Sequence, residues 1–255
     1  MEKMNSEKIT QVTTVFVILR CMRNEADKEL WRRCYSSVRY YYKSAEIVII
    51  DDNSVIEDEM DSKVIGTTII KSDYTGAGEV LPFFYFLKHH WADTMIILHD
   101  SMFLKRPFVP KELSDTLGFF WHFSDHRTDD NAKIEELLQF IPEGHTLKIL
   151  NKQKDAWNGW FGLSGIISWT ILKDLDDKYG VASLLINFVK TRDDRMAYER
   201  IFGLIAFNEQ LVTKTNCSAF GSIHDYPGSW RADFEWQIKN QHLYPYAIMK
   251  TWSGR

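Results

Sequence analysis

Two stretches end an apolar run on acidic side chains. "EIVIIDDNS" at 46–54 passes through four aliphatic residues to Asp51 and Asp52, and "LHDSMF" at 98–103 ends on His99, Asp100 and Ser101. Carboxylates at such positions can accept hydrogen bonds from a ribose or a base edge, or ligate a hard cation. Asp-Asn-Ser is also ordinary turn chemistry, so Asp51 and Asp52 suit either a ligand rim or a capping turn. Asp100 is a candidate ligand for Mg²⁺ or Mn²⁺ bridging a pyrophosphate, with His99 as a second ligand or a donor to phosphate. The plainer alternative is a solvated strand-end turn.

Glu199, in "AYERIFG", suits a general base if a cleft raises its pKa, or a surface ion pair with Arg195 four residues earlier. His224 and Asp225, in "GSIHDYPGSW", could reach the same rim or be loop features. "WNGWFGLSG" at 157–165 could form a sugar-stacking wall or pack as core around a tight turn.

The elements that must carry these residues follow from periodicity. "VFVILR" at 15–20 reads as a strand buried on both faces. Residues 24–43 read as a helix, with Leu30, Cys34, Val38 and Tyr41 on one face and Asn24 or Asp27 as cap. A second strand at 46–50 completes a right-handed βαβ unit. A third strand falls in 63–72, a helix in 76–91 with Pro82 near its first turn, and a fourth strand in 94–104. Two helices follow at 182–190 and 194–207, the second capped by Asp193 or Asp194. The class is α/β with a mixed, mainly parallel sheet flanked by helices in a single domain. Its ligand site is expected outside the carboxyl ends of the strands, which puts Asp51, Asp52 and Asp100 on one rim.

Composition removes several function classes. The 255 residues hold 35 acids against 31 bases, a net charge of −4 with no basic block to track a phosphate backbone, so nucleic acid is not an expected partner. The three cysteines, Cys21, Cys34 and Cys217, have no metal-ligand spacing and suit a reducing, cytoplasmic setting. The start "MEKMNSEKIT" is polar, and no later run approaches the roughly 20 apolar residues of a membrane span. A soluble chain is expected. Aromatic residues make up 14% of it, enough to supply stacking surfaces for a glycan as well as a core.

Taken in order, "VFVILRCMRNEADKELWRRCYSSV", "EIVIIDDNS" and the strand closing on "LHDS" resemble the GT-A glycosyltransferases, in particular the family 2 type. The resemblance covers roughly residues 13–105. It implies that this half holds a nucleoside-diphosphate sugar as donor, while residues 106–255 shape the site of a glycan or other hydroxyl acceptor. It further implies that Cys21, Arg23 and Asn24 border the base and ribose, that Asp52 contacts the nucleobase, and that Asp100 is the metal-binding acid of a DxD motif. "HDS" departs from that motif by offering one carboxylate, which His99, Ser101 or His224 would have to supplement around Mn²⁺ or Mg²⁺. "DDRMAYERIFG" resembles the segment bearing the base of inverting members, which implies Glu199 first and Asp194 second. "GWFGLSG" resembles the loop facing donor sugar and acceptor. The competing expectation is a non-catalytic nucleotide- or glycan-binding module on the same fold.

Overall fold

Apolar runs without polar alternation need cover on both faces, and three strands here show that pattern of burial. The computed structural model describes residues 12–124, 131–228 and 232–252. The polar start of the chain, 125–130 and the "SWR" at 229–231 lie outside these described residues. In chain order the elements are β1 (Thr14–Arg20), α1 (Glu25–Tyr41), β2 (Glu46–Asp51), β3 (Thr67–Lys71), α2 (Val80–His89), β4 (Thr94–His99) and β5 (Met102–Leu104). There follow β6 (Leu117–Phe119), β7 (His122–Phe123), α3 (Asn131–Leu138), α4 (Gly144–Asn151), β8 (Gly159–Trp160) and β9 (Gly165–Ser168). The chain closes with α5 (Trp169–Tyr179), α6 (Arg192–Asn208), α7 (Phe234–Lys239) and β10 (Ile248–Lys250).

The main sheet has six strands in the order β3-β2-β1-β4-β9-β6. The first four are parallel, and β9 runs antiparallel between β4 and β6. This is the expected fold class, a mixed, mainly parallel sheet flanked by helices, with the parallel βαβ unit that the periodicity predicts at its centre. Alternate residues feed two cores. Val15, Val17, Val48, Ile50 and Ile97 pack with Phe83 and Phe86 of α2 and Phe202 of α6. Phe16, Ile18, Ile47, Ile49 and Leu98 pack with Trp31, Cys34 and Val38 of α1. Burying each such side chain contributes roughly 1.5–3 kcal/mol.

The caps explain several boundaries. Asn24 accepts the Asp27 N–H at 3.1 Å and starts α1 as expected. The cap of α6 is Thr191 instead of Asp193 or Asp194, because Asp194 at the third helical position completes a reciprocal capping box with it. The predicted helix at 182–190 is reduced to one short turn, Leu185–Asn187. Asp176 of α5 accepts the N–H groups of Ala182 and Ser183 at 2.8 and 2.9 Å, which ties that stretch back to the preceding helix. The predicted strand at 94–104 also breaks. It turns at Asp100 and Ser101, and β5 leaves the sheet to pair antiparallel with β10.

Asp51 answers to a buried partner. The Arg20 side chain, 1% exposed, donates from Nε to Asp51 at 2.7 Å and from both terminal nitrogens to Asp61 at 2.6 and 3.0 Å. Its guanidinium lies 4.8 Å from the Trp31 ring centroid. Ser54 donates its N–H and hydroxyl to the remaining Asp51 acceptor positions, each at 2.8 Å. The expected placement of Asp51 on the ligand rim is therefore corrected, since its carboxylate is committed to locking Arg20 and the turn after β2. Among the described residues no helix is long and apolar enough to cross a membrane.

Removing Asp51 leaves Arg20 its Asp61 partner but strands the buried Nε donor, and a buried donor left unsatisfied costs about 1–3 kcal/mol. Asp51→Ala is expected to lower unfolding free energy by about 2 kcal/mol, measured by urea titration; a change within about 0.5 kcal/mol would contradict this role.

Candidate functional site

A cavity of about 330 Å³ opens where β1, β2 and β4 end, walled on its far side by α6 and the segment following β10. Cys21, Arg23, Asp52, His99, Asp100, Glu199 and His224 all line it. Asn24 and Asp194 do not. Asn24 is the exposed cap of α1. Asp194 gives one carboxylate oxygen to the Lys190 and Thr191 amides and the Thr191 hydroxyl, and the other faces Lys133 at 3.2 Å. Both side chains are engaged within the fold, Asn24 as a cap and Asp194 in the capping box of α6.

Three acids in the cavity wall, Asp52, Asp100 and Glu199, each hold a loop. Asp52 accepts the N–H of Gly76 at 2.7 Å on one oxygen and that of Gly78 at 3.1 Å on the other, fixing the turn that leads into α2. Burial raises its pKa, partly offset by those two amides and by Arg195. Asp100 accepts the Cys21 N–H at 3.1 Å, so the ends of β1 and β4 are stitched together beside the cavity.

Glu199 is the most perturbed acid of this wall. It accepts the Gly162 N–H at 3.0 Å, and its pKa is raised to about 8 by burial first and then by the neighbouring Glu79. Arg200, the Gly162 amide and Lys250 pull it down by less. The Gly162 carbonyl accepts a hydrogen bond from His99 Nε2 at 2.6 Å, which fixes the proton on that nitrogen. One glycine thus links the end of β4 to α6. Its φ of 59° is left-handed, and a Cβ there would stand 3.0 Å from His99 Cε1. One turn beyond Glu199, Gly203 lets α6 approach the Asn158 backbone, where a Cβ would meet the Asn158 carbonyl at 2.4 Å.

Glu79 was not legible as a site residue. It lies 3.1 Å from Arg195 Nε without a well-aligned hydrogen bond to that oxygen, while Arg195 also donates to the Gly76 carbonyl at 3.0 Å. Arg195 therefore pairs with Glu79, so the sequence alternative of a surface pair with Glu199 does not describe its bonding. Lys250 and Trp252 come from the tail, and no local motif pointed to them. The two tryptophans of "WNGWFGLSG" are fully buried core; the aromatic that reaches the cavity is Phe161.

The residues present do not fit a resident divalent cation. A hard cation takes six or more oxygen ligands, or fewer when bound phosphates and waters complete the set. Asp100 brings a single carboxylate with one oxygen on Cys21, and His224 sits on an exposed short turn. Among the described residues no three His, Cys, Asp or Glu side chains converge as a metal site.

No protein-family model matches the sequence, and no curated protein matches it. Two crystal structures of S. aureus TarS 1-349 are similar to it with a TM-score of 0.42 and 11% identity, the first covering 75% of this chain and 56% of that one. The second, in complex with UDP, has the same score and identity and covers 73% of this chain and 54% of that one. The chain spans about half the length of these structures.

A carboxyl whose pKa rises from 4.5 to about 8 on folding keeps a proton that the unfolded chain has released, so stability falls as pH climbs between those values. Urea midpoints measured from about pH 5 to about pH 8.5 are expected to decline in the wild type and to decline less in Glu199→Gln. Equal slopes would contradict the assignment.

Proposed function

We propose that the chain is a glycosyltransferase that moves a sugar from a nucleoside-diphosphate sugar to an acceptor hydroxyl with inversion at the anomeric carbon. The observation that carries this reading is Glu199, a carboxylate with a pKa of about 8 held against Gly162 in the cavity where the parallel strands end. A general base works best when its pKa lies near the operating pH, and burial beside a second acid supplies that here.

The nucleoside lies against the Asp52 loop and Arg23, and the diphosphate lies by Asp100 and Ser101. The acceptor oxygen attacks the anomeric carbon from the face opposite the diphosphate and loses its proton to the Glu199 carboxylate. As the new carbon–oxygen bond forms, the bond to the diphosphate breaks, and its electron pair leaves on the nucleoside diphosphate. His99 takes no proton in this scheme; by holding the Gly162 carbonyl it keeps the Gly162 N–H aimed at Glu199. Residues 13–105 supply most of the donor side and later residues most of the acceptor side, acting as one catalytic domain.

The test is transfer from a panel of nucleoside-diphosphate sugars to hydroxyl acceptors, with the anomer of the product determined. The expected product is inverted, and kcat/KM climbs with pH to a plateau above about 8 as Glu199 loses its proton. Glu199→Gln is expected to lower kcat by about 10²–10⁴-fold while nucleotide affinity is kept. A retained anomer, or a Gln variant with the wild-type rate, would overturn the mechanism; nucleotide binding without transfer would favour a non-catalytic module.

A further inference from the structure

A departing diphosphate needs positive charge close to its oxygens, and among the described residues no three His, Cys, Asp or Glu side chains converge as a metal site. We infer that Lys250 supplies this charge in place of a divalent cation, so that donor binding and leaving-group stabilisation are independent of metal; this rests on the nucleotide-sugar reading above.

The position of Lys250 is fixed from three directions. On β10 it stands opposite Met102 of β5, two residues after Asp100. Its N–H donates to the Tyr226 hydroxyl at 2.6 Å, and its carbonyl accepts from Gln237 Nε2. The next amide, Thr251, donates to the Ser101 carbonyl at 2.9 Å. This pairing brings the lysine alongside the Asp100–Ser101 turn. Its ammonium lies 3.4 Å from Ser101 Oγ and 5.6 Å from the Phe161 ring centroid, with all three residues lining the cavity.

The neighbouring charges agree with that assignment. Burial and a neighbouring acid raise the carboxyls of Glu79 and Glu199, and Lys250 is among the positive charges that offset this in part at both. Five arginines among the described residues line the same cavity, of which Arg23 and Arg192 are exposed at its wall and three have other geometry. Arg20 is forked onto Asp51 and Asp61, Arg195 holds Glu79 and the Gly76 carbonyl, and Arg200 donates to the Met196 carbonyl and lies 4.5 Å from the Phe123 centroid. An ammonium on a four-carbon stem has three donors and can touch oxygens of both phosphates, as one cation would.

The experiment is calorimetric titration of UDP, GDP, dTDP, CDP and ADP, in EDTA and then in Mn²⁺, with the free nucleoside as control. Proteins are wild type, Lys250→Met, Lys250→Arg and Asp100→Asn, each checked for an unchanged melting midpoint. At least one diphosphate is expected to bind in EDTA, with Mn²⁺ changing its affinity less than about threefold. Lys250→Met is expected to weaken that diphosphate roughly ten- to a hundredfold, the range of a hydrogen bond to a charged group. The nucleoside should lose much less, and Lys250→Arg should recover most of the affinity. Binding that needs Mn²⁺, disappears in Asp100→Asn and survives Lys250→Met would overturn the inference and leave the nucleotide-sugar reading standing. Silence from every nucleotide in both buffers would remove the two together.

Discussion

A backbone amide that leaves a sheet must find an acceptor, and around this cavity carboxylates provide it. Asp52 takes Gly76 and Gly78, Asp100 takes Cys21, and Glu199 takes Gly162. Each bond pins a loop at the carboxyl edge of the parallel strands. Each also brings a negative group toward the same space, where solvent is partly excluded. Crowding then raises the carboxyls that burial already disfavours, Asp52, Glu79 and Glu199, while Arg195 offsets the first two. The electrostatic character of the cavity is thus a consequence of how its loops are anchored.

The same logic assigns opposite duties to two adjacent residues. Asp51 points into the layer of Arg20, Trp31 and Asp61, and its charge is matched by a guanidinium at 2.7 Å. Asp52 points to the cavity side and has amides as its main partners, which stabilise a carboxylate less completely than a full cation does. Alternation along the strand accounts for the difference. One residue closes the sheet edge and its neighbour shapes the cavity.

Much of the first half was legible because its information is local. The strands at β1, β2 and β4 are unbroken aliphatic runs, α1 has a 3.6-residue pattern behind an Asn cap, and their order dictates a parallel βαβ arrangement. What escaped depends on partners far away in the chain. "DSMFL" continues the apolar run of β4, and only the pairing of Met102 with Lys250 shows that it belongs to another sheet. Glu79 sits in a glycine turn that could serve any helix entry, and its meaning comes from Arg195, more than a hundred residues later. The aromatic loop misled in another way. Trp157 and Trp160 have the composition of a stacking wall, yet burial decides their use, and composition does not encode burial.

In the proposed reaction one cavity holds the donor's diphosphate beside Asp100 and Lys250, with the Glu199 carboxyl facing the anomeric carbon. The most direct measurement is a crystal structure of the protein with an unreactive nucleoside-diphosphate sugar analogue. Density is expected to run from the Asp52 loop past Ser101, with the sugar ending within about one water's reach of Glu199. Density with the diphosphate outside this cavity, or with Glu199 turned away behind an ordered diphosphate, would contradict it.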